Sequence, residues 1–262
     1  MFANKVALIS GSGRGIGAAI ALHFASLGAD IVVNYFRNRQ PAEETVAKIR
    51  ELGRKALLVK ANMGELDDIS RLFDEITGEF GGMDFFIHNA ASGYNRPALE
   101  QKPKGWDWTM DINARSLLFA AQRAVPLMET RGGGAIVAVS SPGATRVLPD
   151  YVVVGASKAA IEAITRYLAV ELAPKNIVVN AISPGMVLTD ALQHFEMVRS
   201  DVRLAEKTTA ITPAGRLVTP QDIANLVAFL CSPDASMIRG QVIAIDGGAS
   251  VIAPGIGLYT DL

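Results

Sequence analysis

A doubly wound parallel α/β sheet of about seven strands, with helices on both faces, is the fold this sequence predicts. Three observations predict it. Short β-branched runs alternate with longer amphipathic stretches along the chain. Several of these runs are apolar throughout, as expected of strands covered on both faces. A glycine-rich turn, Gly11-Ser12-Gly13-Arg14-Gly15-Ile16-Gly17, stands directly between the first run and the first amphipathic stretch.

In order, the strands fall at residues 6–9, 31–35, 56–60, 85–88, 135–139, 177–182 and 242–245. The helices between them fall at 16–27, 41–52, 66–80, 106–128, 154–173 and 220–230. The rhythm breaks over 189–218, where such a fold commonly carries a mobile flap over its substrate. An apolar tail with Pro254, Gly255 and Gly257 follows the last strand; it either packs on a neighbouring subunit or frays.

With 262 residues, half of them apolar, the chain can bury one large core, so a single domain spanning 1–262 is expected. A formal net charge of -1 provides no dense positive field for general nucleic-acid binding. The single cysteine, Cys231, reads as a small buried hydrophobe. His23, His88 and His194 are scattered, with the spacing of neither a metal site nor a triad. Apolar runs are too short to cross a bilayer and the N-terminus lacks a secretory layout, so a cytoplasmic protein without membrane partners is expected.

The glycine turn follows a strand and opens a helix, which is where a dinucleotide is held in a Rossmann-type sheet. Gly11 permits the tight turn, Gly15 lets the backbone approach a pyrophosphate, and Gly17 lets the helix pack on the strand. Gly13, Arg14 and Ile16 complete the loop, whose helix supplies free N–H groups. An NAD enzyme usually carries an acidic residue at the end of the second strand. This chain reads Asn34-Tyr35-Phe36-Arg37-Asn38-Arg39 there. Arginine suits a 2′-phosphate, so Arg37, Arg39 and Arg14 point to NADPH unless they are solvated loop charges.

Across nearly the whole chain the motifs resemble, in order, those of the short-chain dehydrogenase/reductase superfamily. They are the glycine loop, His88-Asn89-Ala90-Ala91 after the fourth strand, Asn113 within a helix, Ser140-Ser141 after the fifth strand, and Pro184-Gly185 after the sixth. The resemblance implies cofactor contacts from Asn38, Asn62, Met63, Asn89, Ala90, Ala91, Lys158, Pro184, Gly185 and Thr189. His88, Ala91 and Asn62 depart from the usual residues. A larger departure is Val154, which stands four residues before Lys158 where most members carry tyrosine. Tyr151 and Lys158 instead form Tyr-x-x-x-x-x-x-Lys, the spacing of the superfamily's enoyl-acyl-carrier-protein reductases. Asn89-Ala90-Ala91-Ser92-Gly93, Trp106-Asp107-Trp108-Thr109-Met110 and Thr212-Pro213-Ala214-Gly215-Arg216 resemble enoyl-acyl-carrier-protein reductase III. Trp106 and Trp108 are otherwise read as helix-start anchors.

Seven helical positions rotate by about 700°, close to two full turns, so Tyr151 and Lys158 can face one cleft about 10.5 Å apart along the axis. Alternatively, Gly155 marks a late helix start that leaves Tyr151 on the preceding loop. What the resemblance implies is hydride transfer from NADPH to the β-carbon of an enoyl thioester, borne by acyl carrier protein as in fatty-acid synthesis. Tyr151 would be the proton donor, with Lys158 supplying a cation that favours phenolate and holding the nicotinamide ribose. Ser141 or its neighbour Ser140 would bind the substrate carbonyl. Asn113 would support a water relay to the lysine, or is simply a satisfied polar group. A homotetramer or homodimer is implied as well. The alternatives are a ketoacyl or other carbonyl reductase, and a silent cofactor-binding scaffold that lost turnover with Val154.

Overall fold

A computed structural model describes residues 1–187 and 203–252. Seven strands run through it: β1 Val6–Ile9, β2 Asp30–Tyr35, β3 Ala56–Lys60, β4 Phe85–His88, β5 Gly134–Val139, β6 Ile177–Pro184 and β7 Val242–Ile245. They form one all-parallel sheet in the order β3-β2-β1-β4-β5-β6-β7. Every residue of β1 and of β4 is buried, because helices cover both faces.

One face packs α1 (Gly15–Ser26) and α2 (Arg39–Glu51) around Phe24, Ile20 and Ile49. The opposite face packs α3 (Leu66–Phe80) around Leu72, Phe73 and Ile76, together with α5 (Ser116–Glu129) and α6 (Val152–Glu171). Helix α7 (Leu204–Ile211) lies beyond β6, and α8 (Pro220–Leu230) joins the first face. Thr219 and Asp222 close a capping box at the start of α8, each satisfying the other's backbone N–H.

The strands and most helices lie within one or two residues of their expected positions. The expected helix over 106–128 is instead three pieces: α4 (Pro103–Met110), a π-helical turn (Asp111–Arg115) and α5. Apolar periodicity does not register one inserted residue, and such insertions gather at functional sites. Of the expected flap over 189–218, the last part contains α7, and its flanks Val187 and Val218 meet in an isolated parallel bridge. Thr189, His194 and Met197 lie outside the described residues, as does the tail from 253 onward.

Candidate active site

In this strand order the direction in which successive strands are added reverses between β1 and β4, and the crevice beyond their carboxyl ends is where such sheets bind ligands. The glycine loop lies on one side of it. Gly11 and Gly15 adopt φ of 66° and 59°, a left-handed conformation that side chains disfavour. A Cβ on Gly17 would lie 2.5 Å from Gly11 O and 2.6 Å from Asn89 Nδ2, so the helix can seat here only as glycine. Gly17→Ala is expected to cost about 1–3 kcal/mol through backbone displacement. It should show as a lower melting temperature and weaker dinucleotide binding by calorimetry; unchanged values for both would refute the close fit.

Helix α1 begins with no side-chain cap and no acidic residue in its first turn, so its leading N–H groups have no side-chain acceptor. That arrangement suits a pyrophosphate. Asn89 contributes indirectly: its Nδ2 donates to Ser10 O at 2.9 Å and Gly11 O at 3.3 Å, fastening the loop after β4 to the glycine loop. The backbone N–H groups of Asn89 and Ala90 both donate to Ser10 Oγ. Ala91 is exposed beside them. Gly13 packs against Ala42 of α2, and Ile16 is half-buried.

Several expected cofactor contacts take a different form. Met63 turns its side chain into the core beneath α3, which leaves only its backbone for a ligand. Asn62 is buried, its Oδ1 accepting from Gly64 N at 3.0 Å to build the turn after β3. Arg39 is paired with Glu43 at 2.7 Å on the exposed face of α2. Arg14 and Asn38 stand exposed at the N-caps of α1 and α2. Arg37 instead lays its guanidinium over two rings, 5.7 Å from the Phe36 centroid and 5.6 Å from Trp108. Pro184 ends β6, and Gly185 follows, its N–H donating to Ile245 O and its α-carbon pressed against Asp246.

The catalytic candidates gather where β5 ends and α6 begins. Tyr151 is the N-cap of α6, with its carbonyl accepting from Gly155 N at 2.7 Å. The helix therefore starts just after the tyrosine, and Gly155 lies inside it. The phenol hydroxyl reaches Ser141 Oγ at 3.5 Å, which decides between the two serines. Ser140 is the one corrected: it is buried, and its hydroxyl donates to Glu162 Oε1 at 2.7 Å, away from Tyr151.

Gly143 makes room for the Tyr151 ring, since a Cβ there would lie 2.5 Å from Cε1. Asp150 holds a left-handed φ of 58°, and its carbonyl accepts from Arg96 N at 2.8 Å. That bond ties the loop after β4 to the residue just before Tyr151. An open groove of about 590 Å³ runs past Tyr151, lined by Gly143, Ala144, Val147 and Leu148 and, on α6, by Ala156 and Ala159; Ser141 and Lys158 do not line it.

Asn113 sits in the π turn with its side chain satisfied. It accepts from Ser92 N and donates to Ser92 O and Ser157 Oγ, all at 2.8–2.9 Å. It clamps the β4 loop to α6, so its side chain is not left over for a water relay. Val154 is buried in the place of the usual tyrosine, and a Cβ on Gly93, whose φ is 151°, would collide with it.

Lys158 is buried and donates to Val139 O at 2.7 Å. Burial pushes its ammonium down to about 8. An ammonium has three donors, so Lys158 fits ribose hydroxyls as further acceptors. Burial also raises the Tyr151 phenol above its ordinary value, opposed by the hydrogen bond to Ser141. The expected lowering of the phenol is thus reversed, because desolvation of the phenolate outweighs the stabilisation it receives.

His88 Nε2 contacts Ser116 Oγ at 2.7 Å; that hydroxyl donates to Ile112 O, which puts the proton on Nε2. Burial pushes His88 down to about 3, so it is neutral at ordinary pH. Among the described residues no group of three His, Cys, Asp or Glu could hold a metal, and no helix is long and apolar enough to cross a membrane.

Residues 11–250 match the family described as Enoyl-(Acyl carrier protein) reductase. The chain belongs to the short-chain dehydrogenase/reductase superfamily. Among its relatives, 1-cyclohexenylcarbonyl-CoA reductase of Streptomyces collinus is 39% identical over 96% of this chain and 89% of that protein. Hydroxynaphthalene reductase-like protein Arp2 of Metarhizium anisopliae is also 39% identical, over 94% and 95%. A 7α-hydroxysteroid dehydrogenase solved with NADH and 7-oxo glycochenodeoxycholic acid superimposes with a TM-score of 0.88 at 35% identity, covering 94% of each chain. A gluconate 5-dehydrogenase of Burkholderia cenocepacia J2315, solved with NADP and tartrate, gives 0.88 at 27% identity, covering 96% of this chain and 97% of that one. This chain is therefore an oxidoreductase of that superfamily, and those two solved neighbours hold NADH and NADP. The tyrosine, lysine and serine were all legible as motifs. Trp108 reads from sequence as a helix-start anchor, because nothing local marks a tryptophan in α4 as the ring that meets an arginine after β2.

Proposed function

We propose that this chain reduces the carbon–carbon double bond of an enoyl thioester with NADPH, with acyl carrier protein as the carrier. One observation carries the proposal: the Tyr151 hydroxyl stands beside Ser141, while Val154 is buried against Gly93 in the place of the usual donor. The family match and the relative named as a cyclohexenylcarbonyl-CoA reductase support it.

When bound, NADPH supplies the hydride that reaches the β-carbon. Charge then develops on the thioester oxygen, and Ser141 and Tyr151 are placed to donate to it. Tyr151, whose phenol burial shifts further toward the protonated form, holds the proton given to the enolate oxygen. The resulting enol becomes the saturated thioester by moving that proton equivalent to the α-carbon through solvent. Lys158 holds the nicotinamide ribose.

The test is NADPH oxidation with matched crotonyl and acetoacetyl thioesters, each on coenzyme A and on acyl carrier protein. Turnover of the crotonyl pair is expected. Turnover of acetoacetyl thioesters alone would replace the proposal with the second reading, a carbonyl reductase, which the hydroxynaphthalene reductase-like relatives favour. No turnover on either, with tight NADPH binding, would favour the silent scaffold. Leu118 on α5 and Val152, Tyr167 and Val170 on α6 are exposed, which supports assembly into two or four copies, checked by light scattering.

A further inference from the structure

We infer that Trp108 is a specificity-determining residue for the cofactor: it restrains Arg37 beside its ring so that the guanidinium is held ready for a 2′-phosphate. The inference rests on the NADPH proposal above and goes beyond it by assigning a residue on α4 to the discrimination.

Arg37 and Trp108 are 71 positions apart and come from different layers of the fold. The guanidinium carbon lies 5.6 Å from the Trp108 ring and 5.7 Å from the Phe36 ring, and the two rings are 6.5 Å apart at 45°. A guanidinium drawn to both rings by cation–π attraction is restrained without spending its N–H groups, which bidentate binding of a phosphate requires. Among the described residues no carboxylate pairs with Arg37, whereas Arg39 two positions on is paired with Glu43. Of the two arginines after β2, the stacked one is thus the one left to read an anion.

Trp108 is itself immobilised. Its indole Nε1 donates to Ser92 Oγ at 2.9 Å, and the backbone N–H and C=O of Ser92 are both held by Asn113. The half-buried ring is therefore anchored to the π turn, and through it to α6. A freely rotating arginine would lose side-chain freedom on meeting the phosphate, and stacking removes part of that loss in advance.

A double-mutant cycle tests this by calorimetry on the dinucleotide-free protein. The probes are adenosine 2′,5′-bisphosphate and adenosine 5′-monophosphate. A cation–π contact at an exposed site corresponds to about two- to fivefold in affinity. Trp108→Leu is expected to weaken the bisphosphate by about that factor, leave the monophosphate unchanged, and have no further effect in an Arg37→Ala background. Trp108→Phe, which keeps a ring and loses the indole N–H, should retain most of the affinity and guards against simple misfolding. The inference is overturned if Trp108→Leu weakens both probes equally, or costs as much without Arg37 as with it. If Arg37→Ala itself fails to separate the two probes, the NADPH assignment through Arg37 falls as well. A normal Arg37 effect without coupling removes Trp108 alone.

Discussion

Tyr151→Phe is expected to lower kcat for an enoyl thioester by about 10²- to 10⁴-fold, the usual weight of a positioned proton donor, with NADPH affinity nearly unchanged. The substitution removes one oxygen and leaves the ring in the slot that Gly143 provides, so folding should be preserved. The loss should fall on kcat more than on KM, because the hydroxyl matters as charge develops on the substrate oxygen. Restoring a tyrosine at 154 in the Tyr151→Phe background is not expected to recover turnover: Val154 is buried against Gly93, and a larger side chain has no room there without moving the β4 loop. Stopped-flow and steady-state kinetics on the two variants check both statements. Near-full activity in Tyr151→Phe would remove the phenol from the mechanism.

Lys158→Met is expected to abolish useful turnover and yet stabilise the dinucleotide-free protein at neutral pH. The ammonium is buried with Val139 O as its hydrogen-bond acceptor, and burial brings it from 10.5 down to about 8. Because the folded value lies below the unfolded one, the unfolded chain binds more protons between about pH 8 and 10.5, and the wild-type protein gains stability as pH rises through that window. Below about pH 8 the full desolvation cost is present, on the order of 3 kcal/mol at most. Methionine removes that cost but also leaves Val139 O without its donor, at roughly 1 kcal/mol. The variant should therefore melt several degrees higher than wild type at pH 7, with the advantage shrinking toward pH 10. Differential scanning calorimetry at pH 7, 8.5 and 10 measures it. A lower melting temperature at pH 7 would mean that the buried ammonium contributes net stability. A lysine that costs stability is what a site held ready for a ribose would contain.

Much of the architecture could be read before any coordinates. Strand positions followed from short apolar runs, and the phosphate loop followed from glycines spaced between strand and helix. The phenol and ammonium were found from a Tyr-x-x-x-x-x-x-Lys spacing that resembles the enoyl reductases of the family and that helix geometry permits, and Tyr151 stands beside Ser141. Less legible were Met63 and Asn62, which stand at cofactor-contact positions of the family, Asn62 as a departure from the usual residue, and whose side chains are used for the core and for a turn. Asn89 was placed correctly at the crevice, though its amide holds the glycine loop instead of being left for a ligand.

From sequence alone came the sheet, the order of its motifs and the shift of the tyrosine by three positions, because each is written in neighbouring residues: periodicity of burial, backbone freedom at glycine, or spacing on one helix. Tertiary structure decided which serine meets the phenol, where the helix after β4 gains its π turn, and which arginine is stacked and which is paired. Each of those outcomes depends on groups distant along the chain. Ser140 is withdrawn by Glu162 in the following helix, and Arg37 lies against Trp108 from the helix after β4. Burial of Lys158 is likewise a property of everything packed around it, which no short stretch of residues encodes.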